Sequence, residues 1–214
     1  MAHDLTLWGV GTSRTMRAHW MLLELDLEYE TQPIQPRTGE TLRDDYQRIN
    51  PRHKIPALRH GDFIVTESAA IVQYLVETFG DPRKFYIPCD AKSRAALNEW
   101  CFFIMTELDA GSLYVVRRHS DLKQTYGDAP VAIESAKQYF AHNLDAMAER
   151  ICIGGPYLFG DLPSAADILL MTCLDWAVYC GIVLPKPIAG YQHRMAQRSA
   201  YQAALKRNFM QISR

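Results

Sequence analysis

The sequence predicts a small α/β domain over residues 1–80 and a larger, all-α domain over residues 91–214. Two observations support this prediction: strand patterns occur in the first 80 residues, and long stretches with helical periodicity follow from residue 91 onward. Residues 81–90 contain Pro82 and Pro88 and are interpreted as a linker. A chain of 214 residues is long enough for two such domains.

Short apolar patterns broken by glycine and proline define the elements of the first domain. Leu5–Trp8 alternates apolar and polar side chains, as a strand does, and Gly9 and Gly11 interrupt it. The predicted elements are a strand at 5–8, a helix carrying Met16 to Leu27, a strand at 29–34, a short helix at 42–49, strands at 57–59 and 63–65, and a helix from Ser68 to Phe79. This β-α-β-α-β-β-α order is thioredoxin-like.

The second domain is predicted to consist of helices. Helical periodicity covers residues 91–119, 132–151 and 165–181, and shorter helices are expected at 188–198 and 199–207. Ser164 and Asp167 stand three residues apart at the start of one of these helices, which predicts a capping box. We assign that motif a folding role only.

The composition is that of an ordinary globular protein. The net charge is −1, with 48% hydrophobic and 22% charged residues, so neither a nucleic acid nor a membrane surface is an expected partner. The first residues lack a signal-peptide pattern, and a cytoplasmic protein is expected. The five cysteines show no CxxC or zinc-site spacing, so they are interpreted as reduced thiols and no metal is expected.

A first candidate motif is the stretch Asn50-Pro51-Arg52-His53-Lys54-Ile55-Pro56. A proline just before a strand cannot donate to the strand ladder, and it is a candidate for a cis peptide bond. A cis Ile55-Pro56 bond would turn the N–H and C=O of Ile55 outward, where an extended peptide can pair with them. The alternative is an ordinary trans proline in a loop.

A second candidate motif is Glu67-Ser68, where a helix is predicted to begin. The alternative role of Ser68 is that of an N-cap. A helix N-terminus presents free N–H groups and partial positive charge, and Glu67 presents the opposite charge. Together they suit a ligand end with both a carboxylate and an ammonium group. Because Pro56 and Glu67 are joined by one predicted hairpin, we expect them to line one pocket for a small peptide.

These motifs resemble those of the cytosolic glutathione transferase family, in particular its bacterial and theta- or delta-like members with a hydroxyl donor. The resemblance rests on residues 20–30, 50–56, 67–71 and 160–167 and extends over nearly the whole chain. It implies the glutathione transferase architecture, a thioredoxin-like domain followed by an all-helical domain that forms the acceptor side. It also implies a homodimer.

The resemblance further implies a role for each residue of the two motifs. In the family, the residue before the cis-proline pairs with the cysteinyl backbone of glutathione, the Glu-Ser pair holds the γ-glutamyl end, and a His or Lys just upstream contacts the glycine carboxylate. The implied glutathione-binding residues are His53, Lys54, Ile55, Pro56, Glu67 and Ser68.

A catalytic member of the family must also stabilise the glutathione thiolate. A free thiol has a pKa of about 8.5, and a hydroxyl donor at the N-terminus of the first helix can lower it. Thr12 stands at the position similar to the family's donor, and Ser13 and Thr15 are alternatives. Many members carry Tyr or Ser there and some carry Cys, so a threonine departs from the common pattern. Capping of the helix is a second role for these hydroxyls, and it does not exclude the first. Arg14 and Arg17 are interpreted as solvated or paired surface charges, and the alternative for either is to add positive potential near the sulfur.

The position of the cysteines bears on the reaction. All five lie beyond residue 88, so none is in the loop after the first strand and glutathione is expected to supply the nucleophile. The leading hypothesis is conjugation of the glutathione thiolate to small electrophilic, largely apolar substrates, a detoxification activity. The alternatives are a glutathione-dependent disulfide or peroxide reductase without a protein cysteine, and a non-catalytic glutathione-binding module. Candidate acceptor contacts are Met105, Leu108, Ser112, Tyr114 and Trp176, for which core packing is the stronger interpretation.

Overall fold

The computed structural model describes residues 4–153 and 155–209 and divides the chain into two compact units. The first unit runs up to Pro82 and includes the residues from Ala196 onward, and the second runs from Arg83 to Met195. The sequence prediction placed everything from residue 91 in one helical domain. The contacts of the structure instead group the last helix with the α/β unit.

A four-stranded sheet with helices forms the first unit. Its elements are β1 (Leu5–Trp8), α1 (Ser13–Glu24), β2 (Glu30–Gln32), a 3₁₀ turn (Glu40–Leu42), α2 (Asp44–Gln47), β3 (Ala57–His60), β4 (Phe63–Thr66) and α3 (Ser68–Phe79). The strand order is β2-β1-β3-β4. Strands β1 and β2 are parallel, whereas β1 with β3 and β3 with β4 are antiparallel. The predicted thioredoxin-like element order is confirmed.

Helices form the second unit. They are α4 (Ala91–Phe103), a π-helical segment (Ile104–Leu113), α5 (Tyr114–His119), α6 (Lys123–Tyr126), α7 (Pro130–Ile153), α8 (Ala165–Tyr179) and α9 (Lys186–Ala196). The chain then returns to the first unit as α10 (Ser199–Phe209). Within the described part of the chain, no helix combines the length and the apolar character that a membrane crossing requires.

The core of the first unit explains its helical periodicity. Helix α1 buries Trp20, Met21 and Leu22, and α3 buries Ile71 and Leu75. Helix α10 lies along α1 in the opposite direction, because Tyr201 contacts the Trp20 ring edge-on with 4.9 Å between centroids and Arg198 pairs with Glu24. Residue 198 therefore meets the end of α1, whereas later residues of α10 meet its beginning.

The structure departs from the sequence prediction in two helices. The predicted helix at 42–49 is shorter and begins as a 3₁₀ turn. The predicted helix at 91–119 is continuous but widens into a π-helix, where the Ser112 hydroxyl donates to the Glu107 carbonyl over 2.5 Å. At Gly111, an added Cβ would lie 2.8 Å from the Thr106 carbonyl oxygen. The absence of a side chain there permits the wider turn, a feature that apolar periodicity does not reveal.

The predicted capping box at α8 is confirmed and is part of a buried cluster. The Asp167 carboxylate accepts hydrogen bonds from the Ser164 N–H and hydroxyl (2.8 and 2.6 Å), the Leu158 N–H (2.9 Å) and the Tyr191 hydroxyl (2.7 Å). Burial raises the pKa of the Asp167 carboxyl, and the hydrogen bonds from Ser164, Leu158 and Tyr191 act in the opposite direction. The carboxylate thus joins the start of α8 to the preceding loop and to α9.

We predict that Asp167→Ala destabilises the protein by about 3–5 kcal/mol, because it leaves several buried donors unpaired at a cost of about 1–3 kcal/mol each. Chemical denaturation measures the change. Asp161→Ala is the matched control: Asp161 is an exposed aspartate in the loop before α8, and its loss is expected to change stability by no more than about 0.5 kcal/mol. Equal effects of the two substitutions would contradict the structural role of Asp167.

Candidate functional site

Strand register brings three loops together at one edge of the sheet. Trp8 pairs with Ala57, and Ala57 pairs with Thr66. The residues that come next at this edge are Gly9, Pro56 and Glu67. The two motifs predicted to line one pocket are therefore neighbours, and the loop that leads into α1 lies beside them.

The Ile55-Pro56 peptide bond is cis, as the sequence predicted. The carbonyl just before it, that of Lys54, accepts hydrogen bonds from the Tyr46 hydroxyl (2.5 Å) and the Asn50 side-chain amide (2.8 Å). The Asn50 side-chain oxygen in turn accepts the N–H of Arg52 (3.1 Å). Tyr46 and Asn50 are both buried, so they attach the loop at the Lys54 carbonyl to the core of the first unit.

Gly9 allows this loop to approach the start of α1. Its φ is +112°, and an added Cβ would lie 2.7 Å from the Ile55 Cβ and 2.9 Å from the Thr15 Cγ2. Both separations are shorter than real Cβ atoms show, so any side chain at this position would push the two loops apart. The close approach of Ile55 to Thr15 thus requires glycine at position 9.

At the start of α3, Ser68 occupies a different position from the N-cap considered in the sequence analysis. Glu67 is the N-cap residue, with φ +69°, and Ser68 is the first helical residue. The Ser68 side chain is buried, and its hydroxyl oxygen accepts a hydrogen bond from the Arg17 guanidinium at 3.1 Å. The interpretation of Arg17 as a surface charge is wrong, since it is fully buried. A hydroxyl that accepts from an arginine keeps its own proton for another acceptor.

Glu67 is exposed and paired. Its carboxylate forms an ion pair with Arg52 over 2.8 Å, and Arg52 also donates to the Thr66 hydroxyl at 2.7 Å. Sequence reasoning missed this contribution of Arg52, although Arg52 lies inside the first motif. Ion pairs this exposed stabilise little, so a ligand ammonium can compete for the carboxylate.

The remaining residues of the first motif are His53 and Lys54. The Nδ1 atom of His53 donates to the Thr41 carbonyl at 2.9 Å. The second ring nitrogen, Nε2, takes no part in this hydrogen bond. The His53 backbone has a φ of +55°. The Lys54 side chain is exposed.

The start of α1 holds the three candidate hydroxyls in different states. Thr12 is the N-cap: its Oγ1 accepts the Thr15 N–H at 3.0 Å, and its own N–H donates to Thr15 Oγ1 at 3.0 Å. Thr15 is fully buried, and its hydroxyl donates to the Asn208 side-chain oxygen at 2.7 Å. Ser13 is half-buried, and its hydroxyl has no hydrogen-bond partner among residues 4–153 and 155–209. The Ser13 hydroxyl proton is therefore not taken up by any described residue, whereas Thr12 Oγ1 lies 3.0 Å from Thr15 Oγ1.

A buried histidine supports the same loop from behind. His19 Nε2 donates to the Gly9 carbonyl at 3.1 Å, and Nδ1 accepts from the Tyr29 hydroxyl at 2.9 Å. Burial lowers the pKa of His19 to about 4 and raises that of Tyr29 to about 12. The Arg207 guanidinium lies 4.4 Å from the centroid of the Tyr29 ring. His19 is therefore neutral at pH 7 and acts as a structural support.

The candidate acceptor residues differ in exposure. Leu108, Ser112 and Trp176 are buried, which fits core packing. Met105 and Tyr114 are half-buried, and the Arg118 guanidinium lies 4.7 Å from the centroid of the Tyr114 ring.

Comparison with known proteins agrees with this fold. The model of the glutathione S-transferase N-terminal domain matches residues 3–77. Glutathione S-transferase GstA from Escherichia coli O157:H7 is 32% identical over 165 residues, which are 76% of this chain and 77% of that protein. This chain therefore belongs to the glutathione S-transferase family.

Two further known proteins are similar to this chain. Glutathione S-transferase D7 from Drosophila melanogaster is 36% identical over 112 residues; the match covers 52% of this chain and 48%, about half, of that relative. The crystal structure of a glutathione transferase from Phanerochaete chrysosporium with oxidized glutathione has a TM-score of 0.87 at 19% identity, and covers 100% of this chain and 99% of that one. At that identity, the structure shows the shared fold.

We predict that His19 makes the protein less stable as the pH falls from 7 to 4. The His19 side chain binds a proton near pH 6.5 in the unfolded chain but only near pH 4 in the folded chain. Protonation of this group therefore lowers the free energy of unfolding by about 3 kcal/mol at pH 4. His19→Gln is expected to be less stable at pH 7 and to lose less stability on acidification, measured by denaturant titration at each pH. His142→Gln, which changes an exposed histidine, should retain the wild-type pH dependence. An identical pH dependence in His19→Gln would contradict the assignment.

Proposed function

We propose that this protein is an enzyme that binds glutathione at the sheet edge of its first unit and transfers the glutathione thiolate to small electrophilic, largely apolar substrates. This proposal rests on one observation, the convergence of three loops. The cis Ile55-Pro56 peptide, the start of α3 and the hydroxyl-bearing start of α1 meet at one edge, held there by strand register and by Gly9. Membership of the family supports the same conclusion.

The start of α3 suits the γ-glutamyl end of glutathione. The Ser68 hydroxyl accepts from buried Arg17, so its proton and the N–H groups at the helix start are available to the α-carboxylate. The exposed Glu67 carboxylate can receive the ammonium in exchange for Arg52. A positive φ at a non-glycine residue is concentrated at functional sites, and Glu67 and His53 both have one.

The other end of the peptide is assigned to the first motif. The N–H and C=O of Ile55, next to the cis Pro56, would pair with the cysteinyl backbone. His53 Nε2 and the Lys54 ammonium would bind the glycine carboxylate, which needs cationic or donor groups. These assignments place the cysteinyl sulfur between the two binding ends, on the side of the start of α1.

Thiolate stabilisation is assigned to the start of α1. A thiol with a pKa of about 8.5 is only a few per cent ionised at pH 7. Lowering this pKa by about two units makes the thiolate the major form, and it requires that the thiolate be stabilised by about 2.7 kcal/mol. Thr12 and Ser13 supply hydroxyl donors beside the free N–H groups and positive dipole end of a twelve-residue helix. We further propose that the protein acts as a homodimer and uses no metal ion.

Three measurements on purified protein test the proposal: retention on immobilised glutathione, conjugation of a reactive aryl halide, and reduction of a glutathione mixed disulfide. Retention with aryl halide turnover is the expected result. Retention with disulfide turnover alone would favour the reductase, and retention with neither activity would favour the binding module. Failure of the purified protein to bind immobilised glutathione would refute the proposal.

We predict that removing the donor hydroxyl raises the thiol pKa of bound glutathione by at least about one unit. Below that pKa, the thiolate fraction then falls about tenfold. Ultraviolet absorbance of the thiolate, titrated against pH, gives the value for wild type, Thr12→Val and Ser13→Ala. Thr12→Ser keeps a hydroxyl and is the matched control. The substitution that shifts the pKa identifies the donor, and a pKa unchanged in both variants would remove both residues from this role.

We predict that Glu67→Gln weakens glutathione binding about tenfold or more, since a hydrogen bond to a charged group contributes about 1.5–3 kcal/mol. Calorimetry measures the affinities of wild type and Glu67→Gln for glutathione and for its N-acetyl derivative. These four affinities form a thermodynamic cycle. Acetylation removes the ammonium, so it should weaken binding to wild type strongly and to Glu67→Gln little. If acetylation weakens binding equally in both proteins, Glu67 does not contact the amino group.

A further inference from the structure

We propose that Asn208, near the end of α10, is a positioning residue that holds the donor loop of the active site. This inference rests on the proposed function, because it concerns the loop that carries Thr12 and Ser13. Asn208 is fully buried and lies 196 residues from Thr12 in the sequence. Its side chain and backbone together contact Gly11 and Thr12 of the loop and Thr15 in the first turn of α1.

The contacts involve both ends of the side-chain amide. The oxygen accepts the Thr15 hydroxyl at 2.7 Å and the Gly11 N–H at 3.1 Å, and the nitrogen donates to the Thr12 carbonyl at 3.1 Å. The Asn208 carbonyl lies 3.0 Å from the same Gly11 nitrogen. A primary amide offers a donor and an acceptor in one rigid plane, so it can fix a carbonyl and an N–H of the same turn.

The contact with Thr15 also selects among the candidate hydroxyls. Thr15 has one hydroxyl proton, and two acceptors lie within hydrogen-bond distance of it: the Asn208 side-chain oxygen at 2.7 Å and the Thr12 carbonyl at 2.9 Å. Thr15 therefore remains an acceptor for the Thr12 N–H and does not compete for the ligand sulfur. Thr12 or Ser13 is therefore the residue whose hydroxyl can donate to the sulfur, and Asn208 fixes the backbone that carries both side chains.

A purely structural role is the competing explanation, since α10 also packs on α1 elsewhere. Two of its other contacts lie farther along α1, where Tyr201 meets Trp20 and Arg198 pairs with Glu24. Arg198→Ala is therefore a matched control, because it loosens the same helix pair without touching residues 11–15. A structural role predicts similar consequences for both substitutions.

The test compares wild type, Asn208→Ala and Arg198→Ala by two measurements. Without glutathione, hydrogen exchange should show the Thr12 and Thr15 amides exchanging about tenfold faster in Asn208→Ala than in Arg198→Ala. With glutathione, Asn208→Ala should raise the thiol pKa by about one unit and lower kcat/KM about tenfold below that pKa, with KM for glutathione changed less than about twofold. Arg198→Ala should leave the thiol pKa at its wild-type value.

The outcomes separate this inference from the proposed function. If wild type does not lower the thiol pKa, the proposed function fails, and the exchange rates still decide whether Asn208 fixes the loop. If wild type lowers the pKa and Asn208→Ala has the same value, the positioning role is refuted. Should Asn208→Ala not fold, Asn208→Ser and Thr15→Val are measured singly and together. Additive shifts in the thiol pKa would then refute action through Thr15.

Discussion

The antiparallel pairing of β1 with β3 is the constraint on which the candidate site depends. Because Trp8 lies opposite Ala57, the loop that follows β1 is fixed beside the proline that precedes β3. The β3–β4 hairpin then brings the start of α3 to the same edge, since Ala57 lies opposite Thr66. A shift of one residue in either pairing would turn the neighbouring side chains to the opposite face of the sheet, and the three loops would no longer converge.

Buried polar groups hold these loops at the fixed spacing. Asn50 and Tyr46 hold the Lys54 carbonyl, His19 holds the Gly9 carbonyl, and Arg17 holds Ser68. Such hydrogen bonds pair polar groups that cost about 1–3 kcal/mol each when they are buried without a partner. The same contacts leave outward-facing groups for a ligand. Stability and preorganisation of the site thus depend on the same hydrogen bonds.

Sequence reasoning recovered the parts of the site that are encoded locally. Pro56 before a strand and Glu67-Ser68 at a helix start are short motifs, and one hairpin suffices to predict that they are neighbours. Arg17 could not be recognised in this way, because an arginine in a helix is usually exposed, and its buried contact with Ser68 joins residues 51 positions apart in the sequence. Asn208 gives no local signal at all, since its partners lie more than 190 residues away.

The hydrogen bonds of Thr12 show why helix capping and thiolate stabilisation are compatible. As an N-cap, its hydroxyl oxygen uses a lone pair to accept the Thr15 N–H, and this contributes about 1 kcal/mol to helix stability. Stabilising a thiolate uses the hydroxyl proton instead, so the two roles employ different parts of one group. In the absence of a ligand, Thr12 Oγ1 lies 3.0 Å from Thr15 Oγ1, so its proton can point to Thr15 until a sulfur anion attracts it. Because Thr15 then still accepts the Thr12 N–H and donates to Asn208, moving that proton does not disrupt the cap.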